Sequence, residues 1–82
     1  MNRITVFFFA VLRDKAGVKQ SVMEIPINTK ISEFKNIVVN QFPNIASSME
    51  STLISVNKEV VFEDDIIPDG AEVALFPPVG GG

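Results

Sequence analysis

The residues with the clearest chemical potential are the last six, Pro77-Pro78-Val79-Gly80-Gly81-Gly82. Two successive prolines fix φ, remove two backbone donors and hold the chain extended. Glycine has no Cβ, so a terminal Gly-Gly can thread a narrow channel into another protein's active site. Its main-chain carboxyl is then unhindered at the carbonyl carbon. A carboxylate is ionised at neutral pH and is a poor electrophile. Chemistry at Gly82 therefore needs prior activation, for example as an acyl-adenylate. The chain contains neither a G-x-G-x-x-G nor a G-x-x-x-x-G-K-[ST] loop that would hold the nucleotide. Activation falls to a partner enzyme. The six residues beyond Phe76 can reach roughly 20 Å from the fold at about 3.3 Å per residue.

Other side chains offer less. The chain has no Cys and no His, which removes thiol nucleophiles, thiolate metal sites and acid–base groups that titrate near neutrality. Ser47, Ser48 and Ser51 have no His to activate them. Glu63-Asp64-Asp65 lacks the spacing of a calcium loop and reads as a solvated connection. Arg13 and Asp14 read as a surface pair, with Arg13 also able to form an ion pair across an interface. Side-chain catalysis is excluded, and the reactive group is expected at the end of the main chain.

The elements that must position that tail can be read from periodicity. Residues 2–12 alternate as a strand, with Ile4, Val6, Phe8, Ala10 and Leu12 on one face. The other face carries Arg3, Thr5, Phe7, Phe9 and Val11. A turn at 14–17 and a second strand over 18–25 complete a hairpin. Ile31, Phe34, Ile37, Val38 and Phe42 recur at helical spacing, predicting a helix over Ile31–Gln41 that Pro43 ends. Its cap is Thr29 or Ser32. Residues 44–51 are polar and read as irregular. Short strands are expected over 53–56 and 60–62 about Asn57-Lys58, and a last strand over Glu72–Phe76. Pro68 and Asp69-Gly70 mark the turn before it.

This order predicts an α+β domain in which one main helix packs on one face of a mixed four- or five-stranded sheet. Residues 1–76 form the domain and 77–82 the extended tail. With the helix on one face only, Phe7, Phe9 and Phe76 stand in water unless something covers them. They predict a hydrophobic docking surface beside the root of the tail.

Size and charge narrow the partners. The 82 residues are 46% hydrophobic and include seven Phe, enough for one small core. A net charge of −3 argues against nucleic acid and against an anionic membrane surface. No apolar run approaches the ~18 residues that span a bilayer, and residues 1–6 lack a leader pattern. A cytoplasmic location is expected. Residues 1–41 carry six basic and three acidic groups, whereas residues 42–82 carry one basic and seven acidic. That imbalance predicts a partner that is basic where it meets the C-terminal half.

The stretch Val6-Phe7-Phe8-Phe9-Ala10-Val11-Leu12-Arg13 followed by Gly17 resembles the opening of the small, sulfur-carrier subunits of molybdopterin synthase. So do Ile54-Ser55-Val56-Asn57-Lys58 before Val60-Val61, and the run from Asp69-Gly70 through Phe76-Pro77-Pro78-Val79 to Gly82. Residues 28–51 match that family in pattern, not in identity. The resemblance implies a ubiquitin-like β-grasp fold. It implies that an E1-like adenylyltransferase uses ATP to adenylate Gly82 and that a sulfur-donating system converts it to a thiocarboxylate. The tail then enters the large synthase subunit and gives its sulfur to a pyranopterin precursor of the molybdenum cofactor. No cofactor is expected on this chain, which would be inert alone, in a heterotetramer of two small and two large subunits. Carried over by position, Gly82 bears the sulfur and Gly81 is its slim neighbour, with Gly80 at a variable position. Phe9, Val60 and Phe76 fall on the docking surface, and Arg13 makes polar contacts with partners, beside Pro77 and Pro78 of the tail. Related carriers for thiamine biosynthesis or tRNA thiolation, and protein modifiers conjugated through Gly82, share the bare Gly-Gly end but tend to lack Phe-Pro-Pro-Val.

Overall fold

A computed structural model describes residues 1–78. Five strands form one mixed sheet: β1 (Asn2–Phe8), β2 (Gln20–Ile25), β3 (Leu53–Val56), β4 (Glu59–Val60) and β5 (Glu72–Phe76). Their order across the sheet is β2-β1-β5-β3-β4. β1 and β5 run parallel at the centre, and the other pairs are antiparallel. Alternation sends Ile4, Val6 and Phe8 of β1 to the same side as Met23, Ile25, Ile54, Val56, Val73 and Leu75, all buried. Helix α2 (Ile31–Gln41) covers that side with buried Ile31, Phe34 and Val38, as its spacing predicts. One helix held across a curved mixed sheet is the β-grasp arrangement.

Several local expectations are corrected. β1 stops at Phe8, not at Leu12, because Ala10 takes φ 53° and turns the chain out of the sheet. Residues 11–16 form a short helix, α1 (Val11–Ala16), so the turn foreseen at 14–17 is its last turn. Gly17, in the left-handed region at φ 83°, closes it with its N–H on the Arg13 carbonyl. Leu12 is still fully buried, but from α1 and not from a strand. Ala10, expected on the inner face, is exposed.

The cap of α2 is neither Thr29 nor Ser32. Lys30 occupies that position, and the Glu33 carboxylate reaches back to the Lys30 N–H at 2.9 Å. A lysine side chain has no acceptor to return the bond. Thr29 turns instead to the Pro26 carbonyl, 2.6 Å away. Residues 43–51 are a 3₁₀ segment (Pro43–Ser51), not irregular, and Ile45 and Met49 anchor it in the core. β4 covers only Glu59–Val60, with Val61 adding one more bond to Ile54.

Candidate functional site

The side of the sheet away from α2 carries the predicted aromatics. The register places Phe7 beside Ala74, Ala74 beside Ser55, and Ser55 beside Val60. Two small residues thus form the floor of a trough, and Phe7 and Val60 form its walls. Phe9 and Phe76 close the end nearest the tail, with rings 4.7 Å apart and 7° from parallel, an offset stack favourable beyond its area alone. Lys58 and Glu72 complete the lining of an open groove of about 470 Å³. Although stacked, Phe9 and Phe76 remain 42% and 37% exposed, and Val60 is 63% exposed. Apolar surface gathered this way in water marks a place where another molecule binds.

Each wall has a local cause. Phe9 is set by the Ala10 turn and by its N–H on the Leu75 carbonyl at 3.2 Å. Val60 follows a two-residue turn in which Asn57 and Lys58 both have positive φ, the conformation that fits a tight hairpin and that asparagine tolerates. Asn57 is tied to β5 twice: its N–H meets the Glu72 carbonyl, and its Oδ1 accepts the Glu72 N–H at 2.9 Å. The groove's far wall is therefore fastened to its floor. Phe76 belongs to β5, so the chain leaves the groove directly into half-buried Pro77 and exposed Pro78.

The structure brings Phe9, Val60 and Phe76 around one groove. Arg13 lies apart from it, exposed on α1, where it lines a shallow neighbouring recess with Phe7, Phe9, Lys19 and Gln20. It does not pair with Asp14: the ion pairs among the described residues are Arg3–Glu24 and Lys35–Glu63. Gly80, Gly81 and Gly82 lie outside the described residues. Alternation alone sets Ala74 on the face of Phe76, whereas Ser55, Lys58 and Glu72 escaped the sequence reading because only the strand register reveals what they face.

The acidic run has a structural task. The Asp65 and Glu63 carbonyls accept the N–H groups of Ile31 and Ser32, at 2.9 and 3.1 Å. They satisfy two otherwise orphaned donors at the start of α2. Among the described residues no group of His, Cys, Asp and Glu is placed to hold a metal ion, and no helix is long and apolar enough to cross a membrane.

A β-grasp sheet with an apolar groove on its open face, its last strand running into Pro77 and Pro78, is the ubiquitin-like fold. Its backbone superimposes on that of the small archaeal modifier protein SAMP1 from Haloferax volcanii with a TM-score of 0.88, covering 99% of this chain and 100% of that one at 22% identity. At that identity the likeness is one of fold. Residues 6–82 match the model of the ThiS family, and the chain belongs to that family. It is 30% identical over 82 residues to the molybdopterin synthase sulfur carrier subunit of Chlamydomonas reinhardtii, covering 98% of this chain and 99% of that one. It is 33% identical over 81 residues to the subunit of the same name from Escherichia coli, covering 96% and 99%.

Proposed function

We propose that this chain is the sulfur-carrying small subunit of a molybdopterin synthase and that its reactive group is the carboxyl of Gly82. The observation that carries the reading is the stacked Phe9–Phe76 pair at the end of an apolar groove, at the root of the Pro-Pro tail. Such a surface holds a partner while the tail extends into it. The relatives' name, molybdopterin synthase sulfur carrier subunit, supports a sulfur-carrying role.

In the first step a Gly82 carboxylate oxygen attacks the α-phosphate of ATP held by an E1-like partner, and pyrophosphate leaves. Sulfide-level sulfur (HS⁻) from a donor system then displaces AMP at the carbonyl carbon, and the product is a thiocarboxylate. This is a softer and stronger nucleophile than the carboxylate. Inside the large subunit its sulfur attacks an electrophilic carbon of the pyranopterin precursor, the carbon–oxygen bond there breaks, and the oxygen departs with its substituent or as water. Hydrolysis of the resulting acyl–sulfur bond returns the carboxylate. Tethering the sulfur to a docked protein raises its effective concentration at the reacting carbon. The large subunit supplies the catalytic groups. Phe9, Val60 and Phe76 dock this chain, Arg13 adds a polar contact, and Pro77 and Pro78 hold the tail straight.

Intact-mass spectrometry of the protein co-expressed with its own activating enzyme tests the proposal. The expected result is an oxygen-for-sulfur exchange that fragmentation localises to Gly82. Isopeptide-linked conjugates of Gly82 on cellular lysines, with no sulfur exchange, would make the chain a protein modifier instead.

A further inference from the structure

We infer that the docking surface does not end at the groove but turns around the β3–β4 edge of the sheet to Phe62, where it receives an apolar element of the large subunit flanked by Lys or Arg. This deepens the proposed function and rests on it. Phe62 is 75% exposed, more than any other large apolar residue among those described. It does not sit on a fraying end. Its N–H meets the Asp65 carboxylate at 2.7 Å, and its carbonyl accepts the Asp65 N–H at 3.0 Å. The same loop is fastened to the start of α2 through the Glu63 and Asp65 carbonyls. A built turn therefore displays an aromatic ring in water.

The ring also borders a recess that it shares with Leu53, Val60 and Val61, over Ile31 and Ile54. Val60 belongs to this recess and to the groove, and Leu53 pairs across strands with Phe76. Exposure rises along the band, from Phe76 at 37% through Leu53 at 47% and Val60 at 63% to Phe62. The apolar surface is continuous with the face that carries the tail.

Charge selects the occupant. Glu59, Glu63, Asp64 and Asp65 surround Phe62 in sequence, and all are exposed. Lys35, a cation of the recess, is drawn to Glu63. Two copies of this chain meeting at this edge would bring their carboxylates together, and an anionic lipid surface would be repelled. A basic partner is attracted, and the large subunit is the partner already placed on the adjoining groove by the proposed function.

Titration of the full chain against the large subunit of the same organism, by calorimetry at low and high salt, tests this. Phe62→Ala is expected to raise Kd about tenfold, as for an interface anchor, with an unchanged circular-dichroism melt. The double variant Glu59→Gln/Asp64→Asn is expected to raise Kd at low salt and flatten its salt dependence. Phe76→Asp serves as the reference. If Phe76→Asp destroys binding while Phe62→Ala leaves Kd unchanged, the groove docks the partner and the extension to Phe62 is wrong. If neither variant weakens binding, the docking reading of the groove falls with it. A free chain that sediments as a dimer, and as a monomer once Phe62 is replaced, would make the occupant a second copy and overturn the inference.

Discussion

Ala10 decides where the tail-side wall of the groove stands. Its φ of 53° and ψ of −128° lie in a region that glycine enters freely and an L side chain does not. The strain ends β1, starts α1, and drops the Phe9 ring onto Phe76 while Leu12 turns into the core. Ala10 is exposed, so its methyl group loses no packing if removed. Ala10→Gly is therefore expected to stabilise the fold by about 1 kcal/mol, the relief of strain exceeding the entropy that glycine adds to the unfolded chain. Urea unfolding measures it, and a lower midpoint at the same slope would show that the turn is unstrained. The same residue explains one failure of periodicity. A glycine at position 10 would have marked the break, whereas alanine let an alternating pattern run on through Leu12.

Elements with a strong period were legible and those held by single anchors were not. The α2 boundaries follow from the helical spacing of Ile31, Phe34, Ile37, Val38 and Phe42 and from a proline, and β5 from alternation between an Asp-Gly turn and Pro-Pro. The Asn57-Lys58 turn could be read because Asn57 tolerates the positive φ that a tight hairpin needs. The 3₁₀ segment could not be, since only Ile45 and Met49 among nine mostly polar residues enter the core, and two residues set no period. Yet this segment closes the end of the domain against α1 and α2. Lys15 on α1 donates to the Ser48 hydroxyl at 2.7 Å, and Thr52 returns to the Ser48 carbonyl. Ile45 is fully buried, and Ile45→Ala is expected to cost about 2–4 kcal/mol through lost transfer energy and the cavity left behind. Chemical denaturation reads this directly, and a loss under about 0.5 kcal/mol, the usual limit for surface substitutions, would mean that the segment is only draped over the core.

At the scale of the whole molecule, the proposed function separates folding from chemistry along the chain. Every core residue among those described lies between Ile4 and Leu75, and the proposed reactive carbon is seven residues beyond Leu75. The chemistry proposed for the tail rests on composition, on two prolines, three glycines and the lack of Cys and His. The docking groove was legible only in part, because alternation points Phe7, Phe9 and Phe76 outward but cannot say which strands lie side by side. The parallel β1–β5 pairing supplies that step. It joins the first strand to the last and sets the groove at the tail's root. This division makes the final prediction a sharp one. Deleting Gly81 and Gly82 removes no described core contact, so the melting temperature is expected to stay within about 1 °C, since a shift of several degrees corresponds to roughly 1 kcal/mol in a domain of this size. Binding to the large subunit should persist through Phe9, Val60 and Phe76, while sulfur loading falls to nothing. Loading that survives the deletion, detected by mass spectrometry, would move the chemistry off the C-terminal carboxyl. Binding that vanishes with it would mean that the tail, and not the aromatic face, supplies most of the affinity.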